Sequence, residues 1–447
     1  MESKFSRGAD KEDSHMQYAI FIMAFLTEKW RCKSLSLSLL SLADRYKAWD
    51  SVSSRTMKTQ ISETVLWHKS CLHAFINGRS TAKDPKSSQC KKGVDKNSIL
   101  TRKEEVPVMK KAYIVLMAVC TGLAFVALAT VKAQAASVKL TYSNFFPAGH
   151  IQSRLADSWC REVEARTKGR VNIKHYPSQT LTKAAECYEG VVKGRSDFGF
   201  SVLSYTPDRF PVMGTVDLPL GYTSGKVATA VANEVYRKFR PKELSDTKVM
   251  YLHAHGPALV NTRGKVVRRL EDMKGLKFRT TGAAALTVKA LGGIPVSAPM
   301  PECYQLIKSG KANGSTHPME SHKGWKLAEV ENYLTAAYSI SYTTTFFVTM
   351  NKDKWNALPQ DIKGIIEQIN NEWLLQHGEA WDTSDTEGMQ FFQANGGQLI
   401  GLESSEAARW KMAIAPIIED YAKILSEKGL NGQEIVDFTI KTLNSMQ

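Results

Sequence analysis

The sequence predicts an α/β protein of two lobes, with a cleft between the lobes and a long helix that spans both. Strand-like segments alternate with helical ones from residue 137 onward, which is typical of mostly parallel sheets covered by helices. After Arg279 the same order of elements begins again, so the second half repeats the architecture of the first. A helical pattern of unusual length, residues 359–395, follows. A cleft between two such halves is a usual place for a small ligand.

The elements of the first half follow from hydrophobic periodicity and from the Gly and Pro residues that interrupt it. The first helix carries Ile151, Leu155, Trp159 and Val163 four residues apart, which forms one apolar stripe, and Gly169 ends it. By the same reasoning we predict strands at 138–142, 171–176, 197–202 and 248–253, and helices at 150–167, 183–194 and 224–239.

The second half contains a strand that ends in Arg279, because apolar and basic residues alternate over 276–279. Pro359 is a favoured first-turn residue and opens the long helix. We predict further strands around Val296 and at 343–350, and helices at 283–291, 301–309, 323–329, 404–428 and 431–445. The expected lobe boundaries are 137–256 plus 343–388 for lobe I, and 257–342 plus 389–447 for lobe II.

The positive charge is concentrated outside these lobes. The chain has 59 basic and 44 acidic residues, and residues 1–108 hold 19 of the former and 12 of the latter. The lobes are therefore only mildly basic, and no basic stripe with interleaved aromatic residues suggests nucleic-acid binding. Three of the seven cysteines, Cys160, Cys187 and Cys303, lie in the lobes, and we expect free buried thiols.

A secretory signal is predicted at an unusual position. Residues 109–135 combine Met109-Lys110-Lys111, an uncharged apolar run at 112–131 and an A-x-A cleavage site at Ala133-Gln134-Ala135. We interpret 1–108 as a non-native or disordered upstream extension, because it shows no sustained periodicity. The alternative is that the apolar run is a membrane anchor, since it is just long enough to cross a bilayer.

Several motifs in a fixed order resemble the DctP-type solute-binding proteins of tripartite ATP-independent periplasmic (TRAP) transporters. They are T-x-G-R-V at 167–171, EGVVKGRSDFGF, FPVMGTVDLPLGY, DMKGLKFR at 272–279, GGIPV, PECYQLIKSGKANGS and FFVTMNKDKWNALP. The resemblance covers nearly all of 137–447. It implies a periplasmic-binding-protein-like fold, capture of a small carboxylate, the small and large TRAP membrane subunits as partners, and a periplasmic location.

The resemblance assigns Arg279 to the ligand carboxylate, which a guanidinium can hold through two parallel hydrogen bonds. From the residues alone, a solvated sheet edge is the alternative. His317 stands where relatives have a ligand-contacting asparagine, and Leu259 replaces a second basic group. A monocarboxylate such as a 2-oxo, 2-hydroxy or aromatic acid therefore fits best. Further candidate ligand-binding residues are Asn144, Phe145, Met300, Tyr342, Trp325 and His255.

Each of these candidates has a structural alternative. His317 would cap backbone groups of its loop, and Phe145 and Met300 would belong to the core. His253 and His255 lie on one face of a strand, as half a metal site would, but no ligand cluster accompanies them. No G-x-S-x-G, P-loop, G-x-G-x-x-G or H-E-x-x-H motif occurs, so we expect no cofactor and no enzyme. The alternative functions are a periplasmic enzyme and a membrane-tethered ligand sensor.

Overall fold

A computed structural model describes residues 137–447. The predicted extension and signal peptide lie outside the described residues. The described strands are β1 (Val138–Asn144), β2 (Val171–Tyr176), β3 (Phe198–Val202), β4 (Thr247–Ala254), β5 (Leu259–Thr262), β6 (Lys277–Thr280), β7 (Ile294–Ser297), β8 (Gly314–His317), β9 (Tyr333–Thr335), β10 (Thr345–Asn351) and β11 (Gln398–Ile400). The described α-helices are α1 (Ile151–Arg166), α2 (Cys187–Val192), α3 (Gly225–Phe239), α4 (Leu270–Met273), α5 (Ala283–Ala290), α6 (Met300–Lys308), α7 (Glu320–Gly324), α8 (Lys352–Asn356), α9 (Gln360–Ala394), α10 (Ser404–Glu427) and α11 (Gly432–Met446).

The strands form two sheets, which define the two lobes. The sheet of lobe I has the order β2-β1-β3-β10-β4, in which β1 pairs parallel with β2 and β3. Only β10 runs antiparallel to its neighbours β3 and β4. The sheet of lobe II has the order β11-β9-β5-β8-β6-β7, with β6 parallel to both β7 and β8. The predicted two-lobed α/β class is confirmed.

The chain crosses between the sheets three times within the described residues: two of the crossings lie at neighbouring positions, and the third runs through α9 into β11. It leaves lobe I after β4 and returns into β10, and the backbone N–H of Ala258 donates to the Tyr342 carbonyl at 2.9 Å. These two crossings therefore lie side by side. Such paired connections are where two lobes bend relative to each other, because only loop or strand-terminal residues must change their dihedral angles.

Helix α9 is the long helix that the sequence predicts. Its 35 residues extend over about 52 Å at 1.5 Å per residue. One stripe packs into the lobe I core through Ile362, Ile366, Ile369 and Trp373. Farther along, Phe392 packs with Leu334 of lobe II. The helix thus contributes to the cores of both lobes, as expected for a structural spine.

The closing helices cross the predicted lobe boundary. Helix α11 packs on α3, and the rings of Phe239 and Phe438 meet edge-to-face with centroids 5.4 Å apart. The prediction placed 389–447 with the second lobe, so this contact differs from it. An apolar core shared by Val235, Val288 and Ile435 provides the physical reason, since burying these faces against each other removes them from water.

Two further details test the expectations from sequence. The helix predicted at 323–329 is instead α7, which ends where Lys326 adopts a left-handed backbone (φ 59°), followed by a short 3-10 turn at Leu327–Glu329. A continuing helix cannot include that conformation. The expectation of free buried thiols is confirmed for Cys160, Cys187 and Cys303.

Candidate functional site

A cavity lies where strand ends of the two sheets face each other. Strands β1, β3 and β4 of lobe I end just before the cavity residues Phe145, Tyr205 and His255. Strands β6 and β8 of lobe II bring Arg279 and His317 to it. Parallel strands place their carboxyl ends at one edge, which is where α/β proteins commonly bind ligands. Sequence-distant residues therefore meet because of the sheet topology.

The cavity has an apolar and a polar part, and the space between its walls, including the part open to solvent, is about 410 Å³. Seven of the eight residues predicted from the sequence line it: Phe145, His255, Arg279, Met300, His317, Trp325 and Tyr342. The eighth, Asn144, does not.

Asn144 is buried behind the cavity and is engaged by the protein itself. Its Oδ1 accepts from the Phe146 backbone N–H at 3.0 Å, and its Nδ2 lies 3.2 Å from His175 Nε2. These bonds shape the turn after β1 and thereby position Phe145 and Phe146. The amide serves the wall of the cavity, so a direct contact between Asn144 and a ligand has no support in this geometry.

Arg279 is a buried cation at the heart of the cavity, with 4 % of its surface exposed. Strand β6 lies between β7 and β8, so the alternative of a solvated sheet edge is wrong. The Nε–H group donates to the Ala298 carbonyl at 2.8 Å, which fixes the plane of the guanidinium. Among the described residues no carboxylate lies within 4 Å of it in an ion pair. A buried charge without a counter-ion is costly.

The groups around Arg279 do not neutralise it. Burial raises the pKa of Tyr342 and of Cys303 to about 12, and it raises the pKa of Tyr205 as well. All three are therefore neutral at physiological pH. The Tyr205 hydroxyl also accepts the Met300 backbone N–H at 3.0 Å, which fixes the start of α6 at the rim of the site. The guanidinium keeps its full charge.

An aromatic wall faces this cation across the cavity. Phe145 and Trp325 stack with ring centroids 5.9 Å apart and an interplanar angle of 17°. Phe145 and Phe346 are parallel within 3° at 6.4 Å, and Phe146 lies 4.2 Å from Phe145. The alternative that Phe145 packs in the core is also met, because its ring belongs to the lobe I core as well as to the cavity.

His317 is buried at the end of β8, and both of its ring nitrogens have partners. Nδ1 donates to the Pro318 carbonyl at 2.7 Å, and Nε2 lies 2.7 Å from Glu331 Oε2. Glu331 is fully buried, and its other oxygen accepts from Ser315 Oγ. A ligand would have to displace one of these bonds to engage a ring nitrogen.

Together with His322, this pair brings three potential metal-ligand atoms within 4.8 Å of one another. The His322 Nε2–H group donates to Asn261 Oδ1, while its Nδ1 has no hydrogen-bond partner among the described residues. However, two ligands of a tetrahedral zinc ion lie about 3.3 Å apart. The 2.7 Å between His317 and Glu331 is a hydrogen-bond distance, so we interpret these two residues as a hydrogen-bonded pair and not as metal ligands.

The two histidines of the β4 pattern have different roles. His253 accepts from Trp381 Nε1 at 3.0 Å and stacks on His377 with centroids 4.3 Å apart, so it belongs to the core. His255 follows the strand and lines the cavity. Its Nδ1 donates to the Gly256 carbonyl at 2.6 Å, and burial lowers its pKa to about 4. The ring is therefore neutral, with an unprotonated Nε2.

Sequence reasoning missed six polar residues of the cavity: Tyr205, Thr281, Thr316, Glu320, Ser321 and Thr344. Glu320 is 3 % exposed, and its Oε2 accepts from His150 Nε2 at 2.9 Å. Tyr205 lies three residues after β3, a position at the carboxyl end of a strand that could have signalled it. For Glu320 the only such signal is its position three residues after β8.

With this geometry in hand, the relationship to known proteins is clear. Residues 142–424 match the family model DctP, described as bacterial extracellular solute-binding protein, family 7. The chain belongs to this family. Its members are substrate-binding receptors that take up a small solute outside the cytoplasm and pass it to the membrane components of a TRAP transporter.

Three solved structures resemble this solute-binding protein along its described lobes. One is a TRAP periplasmic solute-binding protein from Desulfovibrio salexigens, with 30 % identity and a TM-score of 0.61, covering 69 % of this chain and 96 % of that one. A marine metagenome protein specific for aromatic acid ligands, bound to metahydroxyphenylacetate, has 25 % identity and a TM-score of 0.67. The match covers 70 % of this chain and 100 % of that one. A Bordetella bronchiseptica protein with bound mandelate has 25 % identity and a TM-score of 0.65, and the match covers 69 % of this chain and 100 % of that one.

Within 137–447, no helix of this solute-binding protein combines the length and apolar character needed to cross a bilayer.

Proposed function

We propose that this protein captures a small monocarboxylic acid in the cavity around Arg279 and delivers it to TRAP membrane subunits. The observation that carries the proposal is a buried guanidinium with no carboxylate in ion-pair distance among the described residues. A ligand carboxylate supplies the missing negative charge and matches the two-pronged geometry of the guanidinium. In a cavity shielded from water that interaction contributes far more than it does at a surface.

The remainder of the ligand is apolar or aromatic in this proposal. The wall of Phe145, Phe146, Phe346 and Trp325 offers ring faces and edges to a flat or branched group. Two relatives with 25 % identity support it, since one was solved with metahydroxyphenylacetate and the other with mandelate. Aromatic acids and small 2-oxo or 2-hydroxy acids fit, whereas a dicarboxylate lacks a second cation, because Leu259 is an apolar core residue.

The arrangement of the histidines favours ligand binding in this proposal. His317 is bonded to Glu331 and to a backbone carbonyl, and His255 donates to a backbone carbonyl. In the described part of the chain neither histidine has a hydroxyl or thiol hydrogen-bonded to it as a nucleophile. Ligand capture then acts as a population shift, in which the closed arrangement of the lobes binds the acid more tightly than the open one.

We further propose that the protein reaches the periplasm through the signal peptide at 109–135 and begins at Ala136 when mature. The family is extracytoplasmic, and the three-part pattern from Met109 supports such an export signal. N-terminal sequencing of the native protein checks this proposal. A peptide from residues 1–108, or retention in the membrane until detergent is added, would contradict it and favour the tethered sensor.

The central test is a thermal-shift screen of the purified protein against monocarboxylates, run beside Arg279→Ala and Arg269→Ala. Ligand binding raises the melting temperature by mass action, so even a weak ligand shows at high concentration. Arg279→Ala should weaken binding by about 2–5 kcal/mol, because it removes the buried ion pair between the guanidinium and the ligand carboxylate. Arg269 belongs to the same lobe, but its side chain is 66 % exposed, and its variant should bind like the parent.

Two outcomes would count against the proposal. A thermal shift that survives Arg279→Ala would mean that the anion binds elsewhere. Chemical conversion of a bound acid would favour the periplasmic enzyme instead. Chromatography of the ligand after incubation with the protein would detect such conversion.

A further inference from the structure

The cavity that holds the cation Arg279 also contains a buried carboxylate, Glu320. An acid next to a proposed anion site is unexpected, because like charges repel a carboxylate ligand. The hydrogen bonds of Glu320 show that its charge is retained. His150 Nε2 donates to Oε2 at 2.9 Å, and Ser321 Oγ donates to Oε1 at 2.7 Å.

His150 holds this carboxylate in place. Its Nδ1 accepts the backbone N–H of Gln152 at 3.2 Å, where it caps helix α1. Its Nε2–H group donates to Glu320 Oε2. Burial alone would raise the pKa of Glu320, but the His150 ring and the Ser321 hydroxyl hold it below its usual value. Glu320 is therefore an anion in the cavity.

The carboxylate retains hydrogen-bonding capacity. An ionised carboxylate offers about four acceptor sites, and side-chain donors occupy two of those of Glu320. His255 adds another acceptor, since its Nδ1 proton is donated to Gly256 and its Nε2 has no hydrogen-bond partner among the described residues. His255 lines the same cavity as Glu320 and Arg279.

The cavity thus presents one cation and two acceptors with free hydrogen-bonding capacity. A ligand that has only a carboxylate satisfies the cation and leaves both acceptors buried and unpaired, which is costly. A 2-oxo oxygen would place a third acceptor against them. A hydroxyl or ammonium hydrogen would satisfy them.

We propose that Glu320 and His255 form an acceptor subsite that selects monocarboxylates bearing a hydrogen-bond donor, either a hydroxyl or an ammonium group. This inference rests on the proposed function, because it names which monocarboxylates the same cavity takes. His150 and Ser321 act as positioning residues, because their side chains donate to the two oxygens of the Glu320 carboxylate and hold it in place.

Two matched sets of ligands test the subsite by calorimetry on the unmodified protein. The aromatic set is phenylacetate, mandelate, phenylglyoxylate, phenylglycine and 3-hydroxyphenylacetate, and the aliphatic set is propionate, lactate, pyruvate and alanine. Within a set the carboxylate and the carbon skeleton are kept, while the second group is absent, a hydroxyl, an oxo group or an ammonium. Donor-bearing members should bind about 10- to 100-fold tighter than the unsubstituted acid, and oxo acids should bind more weakly than the unsubstituted acid. The rank of hydroxyl against ammonium identifies which donor the site takes.

The variant Glu320→Gln should reduce the preference for donors to within about threefold, because the amide lacks the charge and offers donors of its own. Glu387→Gln is the matched control: its side chain is 51 % exposed and pairs with Lys323 at the surface, so the preference should be retained. The ligand series in the parent protein needs no variant, so the test stands even if Glu320→Gln folds poorly.

Equal affinity of the parent for phenylacetate, mandelate and phenylglyoxylate would overturn the acceptor subsite while leaving Arg279-dependent capture intact. A full preference for donors in Glu320→Gln would overturn the role of Glu320 in the same way. If no member of either set binds the parent protein, the proposed function fails and the subsite fails with it.

Discussion

Replacing Arg279 by methionine should abolish ligand capture and, at the same time, stabilise the ligand-free protein. Methionine fills a similar volume without charge. The guanidinium is 4 % exposed and has no ion-pair partner among the described residues, so the free protein bears most of its desolvation cost. For a buried ion that cost is several kcal/mol. The variant loses one hydrogen bond to the Ala298 carbonyl, which offsets about 1–3 kcal/mol of the gain.

The net effect is a stabilisation of about 1–2 kcal/mol. At about 2.1 cal/mol/K of unfolding entropy per residue and about 300 residues, the melting temperature should rise by about 2–3 °C. The parent protein at a ligand concentration of 100 times Kd gains about 2.7 kcal/mol, or about 4 °C. The order of the two melting temperatures should therefore reverse when the ligand is added, since the variant gains nothing.

Differential scanning calorimetry of both proteins, with and without a bound monocarboxylate, measures this reversal. Arg269→Met serves as the control and should leave both melting temperatures within about 1 °C of the parent, as is usual for an exposed side chain. A ligand-free Arg279→Met protein that melts several degrees below the parent would refute the reasoning. It would show that the guanidinium supports the fold through contacts and does not await an anion.

Three further outcomes follow from the geometry. Gly388→Ala should destabilise the protein by several kcal/mol in chemical denaturation, because a methyl group there would press on the backbone carbonyl of Met319, just before α7. The control Gly364→Ala lies in the same helix and meets open space. It should be neutral or stabilising by up to about 1 kcal/mol. Trp325→Ala removes the partner stacked on Phe145 and should weaken aromatic acids about fivefold in calorimetry, with a smaller effect on lactate; equal losses would argue against ring contact. Burial raises the pKa of Asp217 from 3.8 to about 7, so between these values the folded protein keeps a proton that the unfolded chain releases. The contribution of Asp217 to the free energy of unfolding should therefore fall by about 1.4 kcal/mol per pH unit as the pH rises from about 4 to 7. The isosteric Asp217→Asn should lack this component in denaturation curves taken across that range, and an unchanged pH dependence would contradict it.

The long regular elements could be predicted from sequence, whereas of the shortest strands only β6 and β7 could. Helix α9 matches its prediction within one residue at each end, because 35 residues with an apolar stripe give a strong periodic signal. The sequence did not predict strands β5, β8, β9 and β11. Each has only three or four residues, and segments such as GSTH and QLI are too short to show alternation. Their pairing with distant strands is what makes them strands.

The candidate site divides along the same line. Arg279 was predicted because it lies at the end of a recognisable strand motif, and the structure places it in the cavity with six of the other predicted residues. Glu320 and Tyr205 were missed, since nothing in their local sequence distinguishes a cavity residue from a surface one. His317 was expected to offer a ring nitrogen to the ligand, but Glu331, fourteen residues along the chain, already occupies it.

By itself, the sequence determined the alternation of strands and helices, the two-lobed class and the family to which the chain belongs, because these properties depend on local periodicity and on the order of motifs. Only the tertiary structure decided which groups are charged and which have free hydrogen-bonding capacity. Arg279 and Glu320 keep their charges, while Tyr342 and His255 are neutral, because burial and distant partners set each of these states. Such partners are neighbours in space and not along the chain, so no local pattern can encode them.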